Sequence, residues 1–121
     1  MAVYEQANDI EDRLIDFAVR IIKVGQTLPK NLVGQHISRQ LLRSGTSAAP
    51  NYAEARGAES RADFIHKLKI ASKELNETSV WLKMICRADL LKKELLSAVI
   101  DENEQLCRIL NASIATTRKG N

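Results

Sequence analysis

Apolar side chains recur at alternating intervals of four and three residues along most of this chain, and that spacing dictates helices with one buried face. Ile10, Leu14, Phe17, Ile21 and Val24 trace the first stripe, from about residue 8 to Thr27, where Leu28-Pro29 forces the backbone out of the helical region. A second begins near Asn31 or Leu32 and carries Ile37, Leu41, Gly45, Ala48, Tyr52 and Ala55. The third opens at Ser60, a capping hydroxyl with Asp63 three residues on, and continues through Phe64, Leu68, Ala71, Leu75, Thr78, Leu82 and Ile85. The fourth starts around Leu91 or Lys92, with Leu96, Val99, Asn103, Leu106 and Leu110. Links of a few residues between long helices force antiparallel neighbours, so residues 1–121 predict a single all-α domain, an up-down-up-down four-helix bundle.

The stretch RSGTSAAPNYAEARGAESRADF, residues 43–64, is the one place where small residues crowd a helical pattern. Gly45, Ala48 and Ala55 on the inward face would let a neighbouring helix approach closely. Pro50 predicts a kink near residues 46–49 of a continuous second helix, and Gly57 its stop. Beside the apolar stripe runs a polar one, Ser44, Ser47, Asn51 and Glu54, with a counterpart on the third helix in Lys67, Ile70, Glu74, Glu77 and Trp81. A fold-back about residues 58 and 59 sets Arg43 beside Glu74 and Asn51 near Lys67. Arg43, Asn51, Glu54, Lys67, Glu74 and Glu77 are therefore expected as a polar network that fixes register, and they are the residues on which a functional site would otherwise be built.

Charge is distributed unevenly. Residues 1–29 hold three basic and five acidic side chains, residues 30–73 eight and three, and residues 74–121 seven of each. A basic centre points to phosphate-bearing partners, RNA or DNA, with Arg39, Arg61, Lys69 and Lys73 as the binding residues, since Arg43 and Lys67 have glutamates at hand. Aromatics make up only 4% of the chain, which gives base stacking little support. Catalysis and cofactors are not expected. His36 and His66 lack the Glu three residues before them that di-metal bundles use, no glycine-rich phosphate loop occurs, and Ser44 and Ser47 have no recognisable His and acid relay. No metal site is expected. Cys86 and Cys107 fall within helical apolar patterns and read as buried free thiols. The acidic start, the lack of a basic n-region and the absence of an 18-residue apolar run predict a cytoplasmic protein with no membrane contact. Ile22, Ile70, Trp81, Met84, Ile100 and Ile114 lie beside the main stripes and motivate a different reading, self-association or a scaffold for a partner protein.

The combination R-S-G-T-S-x-x-x-N-Y-x-E-A at 43–55, E-S-R-x-D-F at 59–64, K-E-L-N-E-T-x-x-W-L at 73–82 and I-L-N-A-S-I at 109–114 resembles the bacterial four-helix-bundle proteins encoded in intervening sequences of large-subunit ribosomal RNA genes. That resemblance implies an antiparallel bundle assembled as a ring-like homo-oligomer, a pentamer. It also implies nucleic-acid association, as in the related accessory bundles of diversity-generating retroelements. Many members carry Asn-Ile-Ala-Glu-Gly, where this chain has Asn51-Tyr52-Ala53-Glu54-Ala55.

Overall fold

A computed structural model describes residues 3–120. Five helical segments make four arms: α1 (Val3–Thr27), α2 (Leu32–Gly45) followed by α3 (Ala48–Arg56) as the second arm, α4 (Arg61–Arg87) and α5 (Lys93–Lys119). No strand occurs among the described residues. The arms pack side by side around a square, with α1 against α2, α3 and α5, and α4 against α2, α3 and α5.

Local chemistry accounts for most of the ends. The Asn31 side chain accepts from the Gly34 amide at 2.9 Å and caps α2, and Ser60 Oγ accepts from the Asp63 amide at 3.0 Å and caps α4. After α4 the chain turns through Asp89 at φ 55°, a left-handed conformation that Asp tolerates better than most residues. The first helix begins at Val3 rather than near residue 8, earlier than its apolar stripe.

The second arm differs from expectation. It is not one helix kinked by Pro50, because α2 ends at Gly45 and a new helix starts at Ala48. Pro50 is the third residue of α3, inside the first turn, where the backbone amide it lacks would have no helical acceptor. The joint is held by the Thr46 hydroxyl, which donates to the Leu42 carbonyl, and by a tightened bond from the Ser47 amide to the Ser44 carbonyl at 3.3 Å. Small residues do serve close approach here. A Cβ on Gly45 would stand 2.6 Å from Cγ2 of Ile21, so α1 is seated directly on the glycine backbone.

Leu14, Phe17, Ile21, Leu41, Leu68, Leu75, Leu82, Leu106 and Leu110 form the interior, each 1% exposed or less. Of the residues beside the stripes, Ile114 is buried, Ile70, Trp81 and Ile100 are half-buried, and Ile22 and Met84 are exposed. Cys86 and Cys107 are half-buried, not fully enclosed. The register between the second arm and α4 runs about one turn later than expected: Ser44 meets Thr78, Arg43 reaches Glu77 as well as the expected Glu74, and Lys67 pairs with Glu54 instead of lying against Asn51. The fold-back centres near residues 60 and 61, because residues 57–60 all belong to the link and the next helix begins only after its serine cap.

Candidate nucleic-acid interface and the polar seam beside it

On the flank of α4 that faces α2 and α3, polar groups are paired within the chain. Ser44 and Thr78 are fully buried with their hydroxyl oxygens 2.9 Å apart, and the Thr78 hydroxyl is also within 2.8 Å of the Glu74 carbonyl. Outward of them, the Arg43 guanidinium donates to Gln40 Oε1 at 3.0 Å and to Glu77 Oε2, and stands 3.5 Å from Glu74 Oε2. The indole of Trp81 donates to the same Glu77 oxygen at 2.9 Å, and His36 sets its ring edge-on to Trp81 at 6.0 Å. Trp81 first, then Arg43 and Lys73, hold the Glu77 carboxyl below the usual carboxylate range. Glu74 Oε2 is buried without a hydrogen-bond donor.

Of the six residues expected as one network, the fold brings together Arg43, Glu74 and Glu77. Glu54 and Lys67 form a separate pair at 2.7 Å, which raises the Lys67 pKa. Asn51 belongs to neither, and donates to its own helix at the Ser47 carbonyl, 2.9 Å away. Arg56, on α3, reaches across to α1, where it donates to Asn8 and Glu11 at 2.9 and 3.0 Å. This flank reads chemically as a pin between helices, with its cations already committed to carboxylates.

The flank facing α5 is different. Lys69 and Lys73 line a groove of about 370 Å³ between α4 and α5, together with Ser72, Asn76, Asn111 and Arg118, and no carboxylate is among its lining residues. None of these three cations has an ion pair among the described residues. Arg39 lies elsewhere, beside Gly25, Leu28 and Lys30 at the corner between α1 and α2, with its Nε directed at the Gln35 carbonyl. Arg61 is exposed at the first residue of α4, at the end of the bundle. The four expected binding residues therefore do not share one surface, and Arg118 joins two of them. Arg118 lies outside the basic segment 30–73 from which the expected binding residues were drawn. The signal was the antiparallel register of α4 and α5, fixed by Ser72 against Asn111, which sets Lys69 within a turn of residue 118.

Apolar side chains are also exposed, Leu32, Val33 and Leu95 near helix starts among them. Ile37, Val80 and Met84 line a groove between α2 and α4, rimmed by Lys83 and Arg87. Ile15, Val19 and Ile22 form a stripe along α1, each at least 40% exposed. Among the described residues no group of His, Cys, Asp or Glu is arranged to hold a metal, and no helix is long and apolar enough to cross a membrane.

These arms and their register define an antiparallel helical bundle. The family model described as 23S rRNA-intervening sequence protein matches residues 6–112, and the chain belongs to that family. A solved structure from Bacteroides thetaiotaomicron, described as a protein with unknown function from the S23 ribosomal protein family, is 38% identical to it. The match covers 91% of this chain and 98% of that one, with a TM-score of 0.85. No curated protein matches.

Proposed function

We propose that the protein is a non-catalytic, homo-oligomeric bundle of the cytoplasm that binds RNA or DNA weakly and without sequence preference. The observation that carries this reading is the α4–α5 groove, where Lys69, Lys73 and Arg118 converge without a carboxylate in the lining. Cations so placed neutralise phosphates and release counterions, and phosphate contacts position a strand without reading its bases. Arg39 and Arg61 are exposed but lie away from this groove, at the α1–α2 corner and at the first residue of α4. Aromatic platforms for bases are lacking among the described side chains: Phe17 and Tyr52 are buried, Phe64 is half-buried, and Trp81 is tied to Glu77. Free Cys86 and Cys107 suit a reducing compartment.

Filter binding at several salt concentrations tests the proposal. Three neutralised phosphates per engaged subunit give a slope of log affinity against log salt of about −2 to −3. Lys69→Glu with Lys73→Glu should flatten that slope and weaken binding equally across sequences. Unchanged affinity in the double variant, at unchanged oligomer mass, would overturn it.

A second reading, a scaffold for a partner protein, is favoured by the apolar groove of Ile37, Val80 and Met84. An apolar groove with a basic rim suits an amphipathic helix carrying acidic residues. The same filter-binding series separates the two, because this reading requires no salt-sensitive nucleic-acid binding at all.

A further inference from the structure

Surface lysines near a groove are usually just solvated, so the α4–α5 groove needs more than its charge to count as a built site. Its amides supply that. An Asn side chain presents either its carbonyl or its NH₂, and the end left for a ligand is decided by the bond the other end has made. Asn111 Oδ1 accepts from the hydroxyl of Ser72 at 2.9 Å, and Ser72 is itself 6% exposed at the floor. Asn76 Oδ1 accepts from the Cys107 thiol at 3.5 Å, and burial pushes that thiol's pKa up, which keeps it protonated as a donor. Both carbonyls are occupied from α4–α5 contacts. The two NH₂ groups are what remains for the groove, and neither has an acceptor among the described residues.

With the ammonium groups of Lys69 and Lys73 and the guanidinium of Arg118, donors predominate among the polar groups of the lining, and its charged groups are all cationic. Such a lining repels cations and offers no charged acceptor to a ligand's own N–H or O–H. It matches an anion with several oxygens spread over more than one direction, and the three oxygens of a phosphate group can meet donors from both helices at once. Resting on the reading of this groove as the nucleic-acid contact, we infer that it is a seat for a single phosphate group, with Asn76 and Asn111 as ligands alongside the three cations. Ser72 and Cys107 are the positioning residues that turn the amides outward. The phosphate comes either from the end of a strand or from within it.

Inorganic phosphate titrated into isotope-labelled protein at constant ionic strength should move the side-chain amide signals of Asn76 and Asn111 together and saturably. Asn76→Leu with Asn111→Leu, both at exposed positions, should weaken phosphate binding about tenfold or more, since hydrogen bonds to charged groups are among the strong ones. Ser72→Ala should weaken it less, by letting one amide rotate. Amide signals that stay still, or that respond equally to chloride, overturn the seat. If nucleic acid binds with its salt dependence intact in the double Leu variant, the seat fails while the broader function stands. Saturable phosphate binding without any nucleic-acid binding is the reverse. A preference for a 5′-phosphorylated oligonucleotide over its unphosphorylated twin assigns the seat to strand ends, and equal binding of the two assigns it to internal phosphates.

Discussion

A single carboxylate, Glu77, ties three elements of chemistry together: an indole donor four residues along, a guanidinium from the second arm, and Lys73 nearby. Its pKa lies below the ordinary value of 4.5, so the ionised form is favoured by folding. The contribution is present above that value and is lost as pH falls through the lower folded one. Thermal melts below about pH 4.5 should therefore show the native protein losing stability more steeply than Glu77→Gln. At neutral pH the substitution should cost only about 1 kcal/mol or less, because the Arg43 side chain is 52% exposed and keeps its solvation. Glycines make the stronger statement at this scale. Gly45→Ala gains about 1 kcal/mol of helix propensity, but drives a methyl into a fully buried Ile21, with an overpacking cost of about 1 to 3 kcal/mol. Gly34→Ala should be worse, since its Cβ would lie 1.9 Å from the Pro29 carbonyl oxygen, which is backbone and moves only with the corner itself. Chemical denaturation should rank the two in that order.

Among the elements, α4 and α5 meet across a fully buried Asn103, which donates to the Leu75 carbonyl at 3.0 Å while its Oδ1 finds no donor. Asn103→Leu keeps the branched shape and removes the orphaned oxygen, so it should raise unfolding stability by about 1 kcal/mol. The specificity of the helix pairing should loosen at the same time, seen as broadened amide spectra or mixed oligomer sizes. Asn103 was readable as an inward position because it falls in the same four-and-three spacing as Val99 and Leu106. The helices as a whole were readable for that reason, and so was the cap at Ser60. Register was not: a fold-back set at residues 58 and 59 overlooks that the link runs on to the Ser60 cap, and moving its centre by two residues shifts the facing partners by about a turn. The joint at residues 46 and 47 was also hidden, since a proline predicts trouble four residues back whether the helix bends or restarts. Half of the expected cationic set met in one groove for a similar reason. Lys69 and Lys73 share a face by spacing alone, whereas Arg118 joins them only through the α4–α5 pairing.

At the scale of the molecule, Ile15, Val19 and Ile22 recur at four and three along α1 on a face that no other arm covers. Such a stripe suits a second copy of the chain, and light scattering should return a multiple of the 13.5 kDa subunit. A monomer mass at micromolar concentration would refute this, and Val19→Lys should lower the mass while leaving the helical signal intact. The melting temperature of the native protein should rise with concentration, and that of the variant should not. Three arms of this bundle are unbroken helices of 25 to 27 residues, and the fourth is jointed into pieces of 14 and nine. Nine residues make too few turns to persist once their neighbours let go, since isolated helices shorter than about 12 residues are marginal in water. The joint thus sets an order of dismantling: the α3 segment can peel from α1 and α4 while the long arms stay wound. Amide protons of residues 51–56 should trade with solvent deuterium well before those of Leu68 to Ile85, making the second arm the latch by which the bundle opens.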